Sequence, residues 1–167
     1  MANPSLSEQS THIHIADFYS KEGRSLYLRK ITFNDCGASA MIVMLFPSAT
    51  NGIDTTCQKC INNCLRLGIA SLSIVNIFSR NENNTPSSDK INNSVILQEA
   101  EQCDQVILAF GSGKSYTERK GELLTMLQHC KGKLFTLKSS KGTLCSHPLS
   151  PYCKEWNIVP FEFDDKA

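Results

Sequence analysis

Four strand-like runs rich in apolar residues, separated by helix-like segments, constrain the fold more than any other feature of this sequence. They cover residues 40–46, 70–78, 105–110 and 133–138. A strand that is apolar on both faces needs cover on both faces, which is typical of the parallel sheets of α/β proteins. The alternation of such strands with helices predicts a three-layer α/β/α sandwich around a central, mainly parallel, four-stranded sheet.

The two ends of the chain are predicted to add strands at the sheet edges. Residues 12–15 alternate strictly between polar and apolar, Gly23 supports a turn, and residues 25–33 alternate again. This pattern predicts an N-terminal β-hairpin at one edge. Residues 158–163 are predicted to form a further edge strand.

Helix boundaries can be read from residues that cap helices. Asp54 or Thr55 is predicted to begin a helix that runs to Leu67 and ends at Gly68, and Asp89 to begin the next helix.

Length and composition limit the class of protein. The chain has 167 residues, 41% of them hydrophobic and 20% charged, which predicts one globular α/β domain at 11–167 after a flexible tail at 1–10. A net charge of +1 excludes a nucleic-acid binder that works by bulk charge, although a local basic patch stays open. No apolar run approaches the ~20 residues of a membrane helix. The polar start of the chain lacks the apolar core of a signal peptide, so a cytoplasmic location and no membrane partner are expected.

Eight cysteines are expected to be reduced thiols, mostly packed in the core. Cys57, Cys60 and Cys64 have spacing that would suit a metal, but on a helix the same spacing makes one buried stripe. We prefer the stripe and predict neither a metal nor a cofactor. Cys145, in a polar loop, is the best candidate for an acidic, reactive thiol.

Three short motifs follow three of the apolar runs. They are Phe46-Pro47-Ser48, Asn76 with Phe78, and His147-Pro148. Ligands of open parallel sheets bind outside the carboxyl ends of the strands, so these groups are expected to converge on one pocket.

Each polar group in these motifs has a structural and a functional interpretation. Asn76 either bonds the loop backbone at the end of its strand or reads the edge of a base or sugar. His147 is either a solvated imidazole in a turn that Pro148 stiffens, or a donor that stabilises developing negative charge.

A glycine-rich segment, Gly111-Ser112-Gly113-Lys114, lies between a strand and a helix, where a phosphate loop would lie. The glycine that begins a true P-loop is replaced by Leu108, so nucleotide triphosphate hydrolysis is not expected. Gly111 and Lys114 are still candidates to hold a single phosphate.

In these motifs the chain resembles a bacterial and phage family of unknown function. The family pattern has Leu-Asn-Pro-Ser-Thr-Ala after the first central strand, Asp-x-Thr before a helix, Val-Asn-Leu-Phe after the second strand, and His-Pro-Leu near the end. The matching stretches here begin at Leu45, Asp54, Val75 and His147, with Lys141-Gly142 before the last. Phe46 stands where the family usually has asparagine, which implies that a group orienting a ligand or water is lost.

The order of the motifs is also similar, more distantly, to that of the uracil-DNA glycosylase superfamily. This resemblance implies the same fold, with Asn76 reading a base, Phe46 or Phe78 stacking on it, and His147 stabilising the leaving base. In those enzymes the first loop orients water, which Phe46 cannot do. Ser48, Thr50 or Asp54 would have to replace it.

The sequence therefore favours a pocket for a nucleobase or nucleic acid at the strand ends. Such a protein would be a glycosylase-like hydrolase of N-glycosidic bonds, or a catalytically weakened relative. The candidate catalytic residues are Asn76 and His147, and the candidate substrate-binding residues are Phe46, Pro47, Ser48, Phe78, Gly111, Lys114, Lys141 and Pro148. The alternative is a non-enzymatic protein-interaction module, of the kind that a mobile element encodes, with a protein partner.

Overall fold

The computed structural model of the protein describes residues 12–48, 52–81 and 89–163. The predicted tail at 1–10 and Thr50 lie outside the described residues, and the single-domain assignment of 11–167 stays a prediction. The helices and strands are, in chain order, β1 (His14–Tyr19), β2 (Leu26–Thr32), β3 (Ala38–Met44), α1 (Thr55–Leu67), β4 (Ile69–Asn76), α2 (Lys90–Gln102), β5 (Gln105–Leu108), α3 (Thr117–Met126), a 3₁₀ helix (Gln128–Lys133), β6 (Leu134–Leu137) and β7 (Ile158–Pro160). No helix in these three ranges has the length and apolar character that a membrane crossing requires.

The predicted caps are confirmed. The Asp54 side chain accepts a hydrogen bond from the Cys57 N–H at 2.6 Å and starts α1, and Gly68 ends it with φ +69°. Asp89 caps α2 through the backbone N–H of Ile91. These signals are local, because a cap needs only a side chain and the first or last turn of its own helix.

The sheet separates two apolar cores, because the strand side chains alternate between its faces. In β3, Met41 and Val43 face one core, while Ile42 and Met44 face the other. The first core contains residues of α2 and α3, and the second contains the buried stripe of α1.

The strand order is β1-β2-β4-β3-β5-β6-β7. β3 pairs in parallel with β4 and β5, and β5 pairs in parallel with β6. The pairs β1–β2, β2–β4 and β6–β7 are antiparallel.

The predicted architecture, a uracil-DNA-glycosylase-like sandwich around a mainly parallel four-stranded sheet with a hairpin at its edge, is therefore wrong. In the described part of the chain the sheet has seven strands of mixed direction, and three of its six pairings are antiparallel. The reason lies in β2, which bonds to β4 as well as to β1 and so is an interior strand. Its alternating sequence suggested an exposed edge, but Leu28 and Ile31, which belong to opposite cores, are both buried.

Candidate ligand pocket at the ends of two parallel strands

A pocket of about 360 Å³ opens where β3 and β4 end. Phe46, Pro47 and Ser48 line it from the loop after β3, Asn76 from the end of β4, and His147 from the loop after β6. Five of the predicted catalytic and substrate-binding residues therefore lie around one cavity. Their roles in binding or catalysis stay predictions.

Asn76 is the buried polar group of this pocket. It is the last residue of β4, lies opposite Met44 of β3, and is 3% exposed. Its side-chain oxygen Oδ1 has no hydrogen-bond partner among the described residues. Because a buried acceptor without a donor costs about 1–3 kcal/mol, such a group in a pocket wall is suited to a ligand that brings the donor.

The backbone after β4 is held from behind by two helices. Asn92 of α2 donates from Nδ2 to the carbonyl of Asn76 at 2.9 Å. Arg119 of α3, which is buried, donates from Nε and Nη2 to the carbonyl of Ile77 at 3.2 and 3.1 Å. These donors fix the carbonyls of Asn76 and Ile77, so the backbone that carries the Asn76 side chain is held in place at the pocket wall.

His147 lies in the pocket as a neutral donor. The backbone N–H of Leu149 donates to its Nδ1 at 3.1 Å, so the proton of the neutral ring is on Nε2. Burial lowers the pKa of His147, and the nearby carboxylate of Asp54 only partly opposes this. Pro148 is buried beside it and does not line the pocket.

Two charged residues outside the predicted catalytic and substrate-binding sets also line the pocket, and one of them, Asp54, was named from the sequence only as a possible replacement for the water-orienting group. Arg29 comes from β2 and forms a two-point ion pair with Asp17 of β1, Nε to Oδ1 at 2.6 Å and Nη2 to Oδ2 at 2.8 Å. Asp54 comes from the start of α1. The sequence of β2 gives no signal that distinguishes Arg29 from the adjacent Lys30, because the position of Arg29 in the pocket depends on β2 pairing with β4.

Phe46 forms one aromatic cluster with Phe78 and Tyr116. The rings of Phe46 and Phe78 are stacked, with centroids 5.1 Å apart, and Tyr116 meets both edge-on at 5.4 and 5.1 Å. Phe78, the second ring of this stack, is buried and does not line the pocket. Of the two phenylalanines, Phe46 is therefore the one that can contact a ligand.

The predicted phosphate contacts lie away from the pocket. The carbonyls of Gly111 and Gly113 both accept from Lys120 Nζ, at 3.2 and 2.7 Å, and the Gly111 N–H donates to the Cys145 carbonyl. Lys114 is exposed, and Lys141 lies over the ring of Tyr152 at 3.9 Å. Gly111, Lys114 and Lys141 are not among the residues that line the cavity.

The cysteines of α1 and Cys145 show no sign of thiolate chemistry. Cys57, Cys60 and Cys64 form the predicted buried stripe of α1, and burial raises the pKa of Cys64 to about 12. Burial also raises the pKa of Cys145, which therefore is not the acidic thiol that a redox role would need. Across the described ranges, no three His, Cys, Asp or Glu side chains are grouped so as to hold a metal ion.

A larger groove, of about 850 Å³, lies at the opposite end of β4. Its lining includes His12, His14 and Cys36. None of the buried, unpaired side-chain atoms found in the described residues belongs to it. The smaller pocket is therefore the better candidate for a specific ligand.

A comparison with family models matches residues 26–149 to a family described as protein of unknown function (DUF1643). No curated protein and no solved structure matches the sequence. The match confirms the predicted resemblance to a family of unknown function and does not test the likeness to uracil-DNA glycosylases.

Proposed function

We propose that this chain, which belongs to the family of proteins of unknown function (DUF1643), binds a nucleobase in the pocket at the ends of β3 and β4. The base would be free or part of a nucleotide or nucleic acid. The observation that carries the proposal is the buried amide of Asn76, whose Oδ1 has no partner among the described residues. An amide offers both a donor and an acceptor, which is what the edge of a base requires.

The size and lining of the pocket support a small, flat ligand. Its volume of about 360 Å³ is near the lower end of the roughly 300–1,000 Å³ that is usual for small-molecule sites. Phe46, an aromatic residue, and Asn76, an amide, both line it. Aromatic stacking combined with a few directed hydrogen bonds is how proteins hold an unstacked base.

His147 supports a hydrolytic version of this proposal. As the bond between a base and its sugar breaks, negative charge develops on the base, and a neutral imidazole that donates Nε2–H stabilises it. Phe46 takes the place of the family asparagine, so Ser48 or Asp54, which line the same pocket, would have to orient the attacking water. Without such a group, the protein would bind a base and not release it.

The test is thermal unfolding with a panel of free bases, nucleosides, nucleotides and short single- and double-stranded DNA and RNA. A ligand at 100 times its dissociation constant adds about 2.7 kcal/mol, which raises the melting temperature by roughly 5–10 °C for a chain of this size. We expect the shift to be lost in Asn76→Ala and kept in Asn62→Ala, since Asn62 is exposed on α1. If Asn76→Ala binds as the wild type does, the proposal is wrong.

Base release is tested separately, by following free base liberated from any nucleic acid or nucleotide that binds. Hydrolysis should fall in His147→Gln while binding persists. Binding without any release would leave the protein as a base-binding relative of such hydrolases.

A second candidate function, docking of a protein partner, is favoured by exposed apolar side chains on the loops at the same edge of the sheet. Ile53 is 62% exposed, Leu144 46% and Leu149 41%. A partner that binds Asn76→Ala normally but not Leu149→Lys would favour this function over base recognition. A partner whose binding needs Asn76 and tolerates Leu149→Lys would argue against it.

A further inference from the structure

Asp54 has a carboxylate that capping alone does not require. Its Oδ1 accepts from the Cys57 N–H, and among the described residues no donor reaches Oδ2. Asparagine or serine would cap α1 as well as aspartate does. Within the described residues, the half-buried charge on the pocket wall therefore has no hydrogen-bond partner beyond the helix cap, which makes it a candidate contact for a ligand.

The charge balance of the pocket leaves Asp54 uncompensated. Arg29 is the other lining residue of fixed charge in the described part of the chain, and Asp17 neutralises it through two hydrogen bonds. His147 donates as a neutral ring, because Nδ1 accepts from a backbone N–H. A phosphate in this cavity would be repelled, while a neutral ligand rich in N–H donors would be attracted.

The polar atoms of the pocket that lack a hydrogen-bond donor among the described residues are mainly acceptors. Asn76 presents the unpaired Oδ1, and Asp54 presents Oδ2. Carboxylates accept from the exocyclic amino group of cytosine, and amides pair with the amino edge of adenine. A base with a carbonyl at that position would place its oxygen against the Asp54 carboxylate.

We infer that the pocket selects bases that carry an exocyclic amino group over their oxo counterparts, and that Asp54 is the residue that makes the selection. This inference rests on the proposed function, since it names the class of base that the same pocket takes. The amino group has two N–H bonds, of which one donates to Asp54 Oδ2 and the other to Asn76 Oδ1.

The test uses nucleoside pairs that differ only at this position, cytidine against uridine and adenosine against inosine, with affinities measured by calorimetry. The amino member should bind at least about tenfold more tightly, which is the discrimination expected of one good contact to a base edge. In Asp54→Asn the single side-chain oxygen still caps α1, so the NH₂ group faces the ligand. The preference should then disappear or turn toward uridine and inosine.

Asp89→Asn is the matched control, because Asp89 caps α2 in the same way and does not line the pocket. It should keep the wild-type preference. Melting temperatures of both variants establish that they fold.

The outcomes separate this inference from the proposed function. Binding that depends on Asn76 but shows no amino preference, or a preference that survives Asp54→Asn, overturns the inference alone. If no nucleoside or nucleic acid binds, the proposed function and the inference are both overturned.

Discussion

Replacing Asn76 by leucine should stabilise the protein while abolishing its binding of any base. Leucine has the branched shape of asparagine and no polar atoms. In the pocket wall its neighbours include the apolar side chains of Met44 and Ile74. The substitution therefore exchanges a buried amide, whose oxygen is unpaired among the described residues, for a group that its surroundings accommodate.

The magnitude follows from the burial of the amide. Asn76 is 3% exposed, and its Oδ1 has no partner among the described residues, so removing it recovers part of a cost of about 1–3 kcal/mol. Some of that gain is lost because leucine is slightly larger. We expect a net gain of about 1–2 kcal/mol in the free energy of unfolding, which raises the melting temperature by roughly 2–8 °C.

Urea unfolding measures the change, and Thr136→Val provides a control with the opposite sign. Thr136 is fully buried near the end of β6, but its hydroxyl is satisfied, since it donates to the Leu108 carbonyl at 3.1 Å and accepts from the Cys145 N–H at 2.7 Å. Removing this hydroxyl should lower the free energy of unfolding by about 1–2 kcal/mol.

If Asn76→Leu instead destabilises the protein by about 1 kcal/mol or more, the amide is already satisfied in the free protein. The inference that the Asn76 side-chain oxygen is left for a ligand to bind would then be refuted. A neutral result together with retained binding would refute it equally.

Two further predictions concern titration and thiol reactivity. Burial holds the pKa of His147 below its ordinary 6.5. The unfolded chain therefore binds this proton at a higher pH than the folded protein does. As a result, the free energy of unfolding should fall as the pH drops through 6.5 toward the folded pKa. Denaturation at about pH 7.5 and about pH 5.5 measures this fall, which His147→Gln should reduce; an unchanged fall in that variant would contradict the assignment. Iodoacetamide at neutral pH should modify the exposed Cys36 well before Cys145, because burial raises the pKa of Cys145. Peptide mass spectrometry follows the order, and modification of Cys145 first would restore a thiol-based function.

Local features of the fold could be predicted because they depend on neighbouring residues. Asp54, Gly68 and Asp89 mark the ends of helices with groups that bond to their own first or last turn. Runs that are apolar on both faces identified β3, β4, β5 and β6 as buried strands. The stripe of Cys57, Cys60 and Cys64 likewise follows from helical spacing alone.

The size of the sheet and the direction of its pairings could not be predicted in this way. Pairing joins residues far apart in sequence, such as Arg29 with Ile74 and Phe135 with Pro160. The pattern of β2 is compatible with an edge or an interior position, since alternation reports only which side chains share a face. The prediction of a four-stranded, mainly parallel sheet failed at this non-local step.

The candidate site could likewise be predicted from the sequence only in part. The sequence by itself determined that Phe46, Asn76 and His147 follow buried strands, because the polarity of a residue and its position after an apolar run are properties of the chain. The sequence also predicted that these groups converge, but only the tertiary structure decided that Arg29 shares their cavity with Asp54, and that Lys114 and Lys141 lie outside it. Strand pairing and loop direction set those positions, and both arise from contacts between residues that are distant in the sequence.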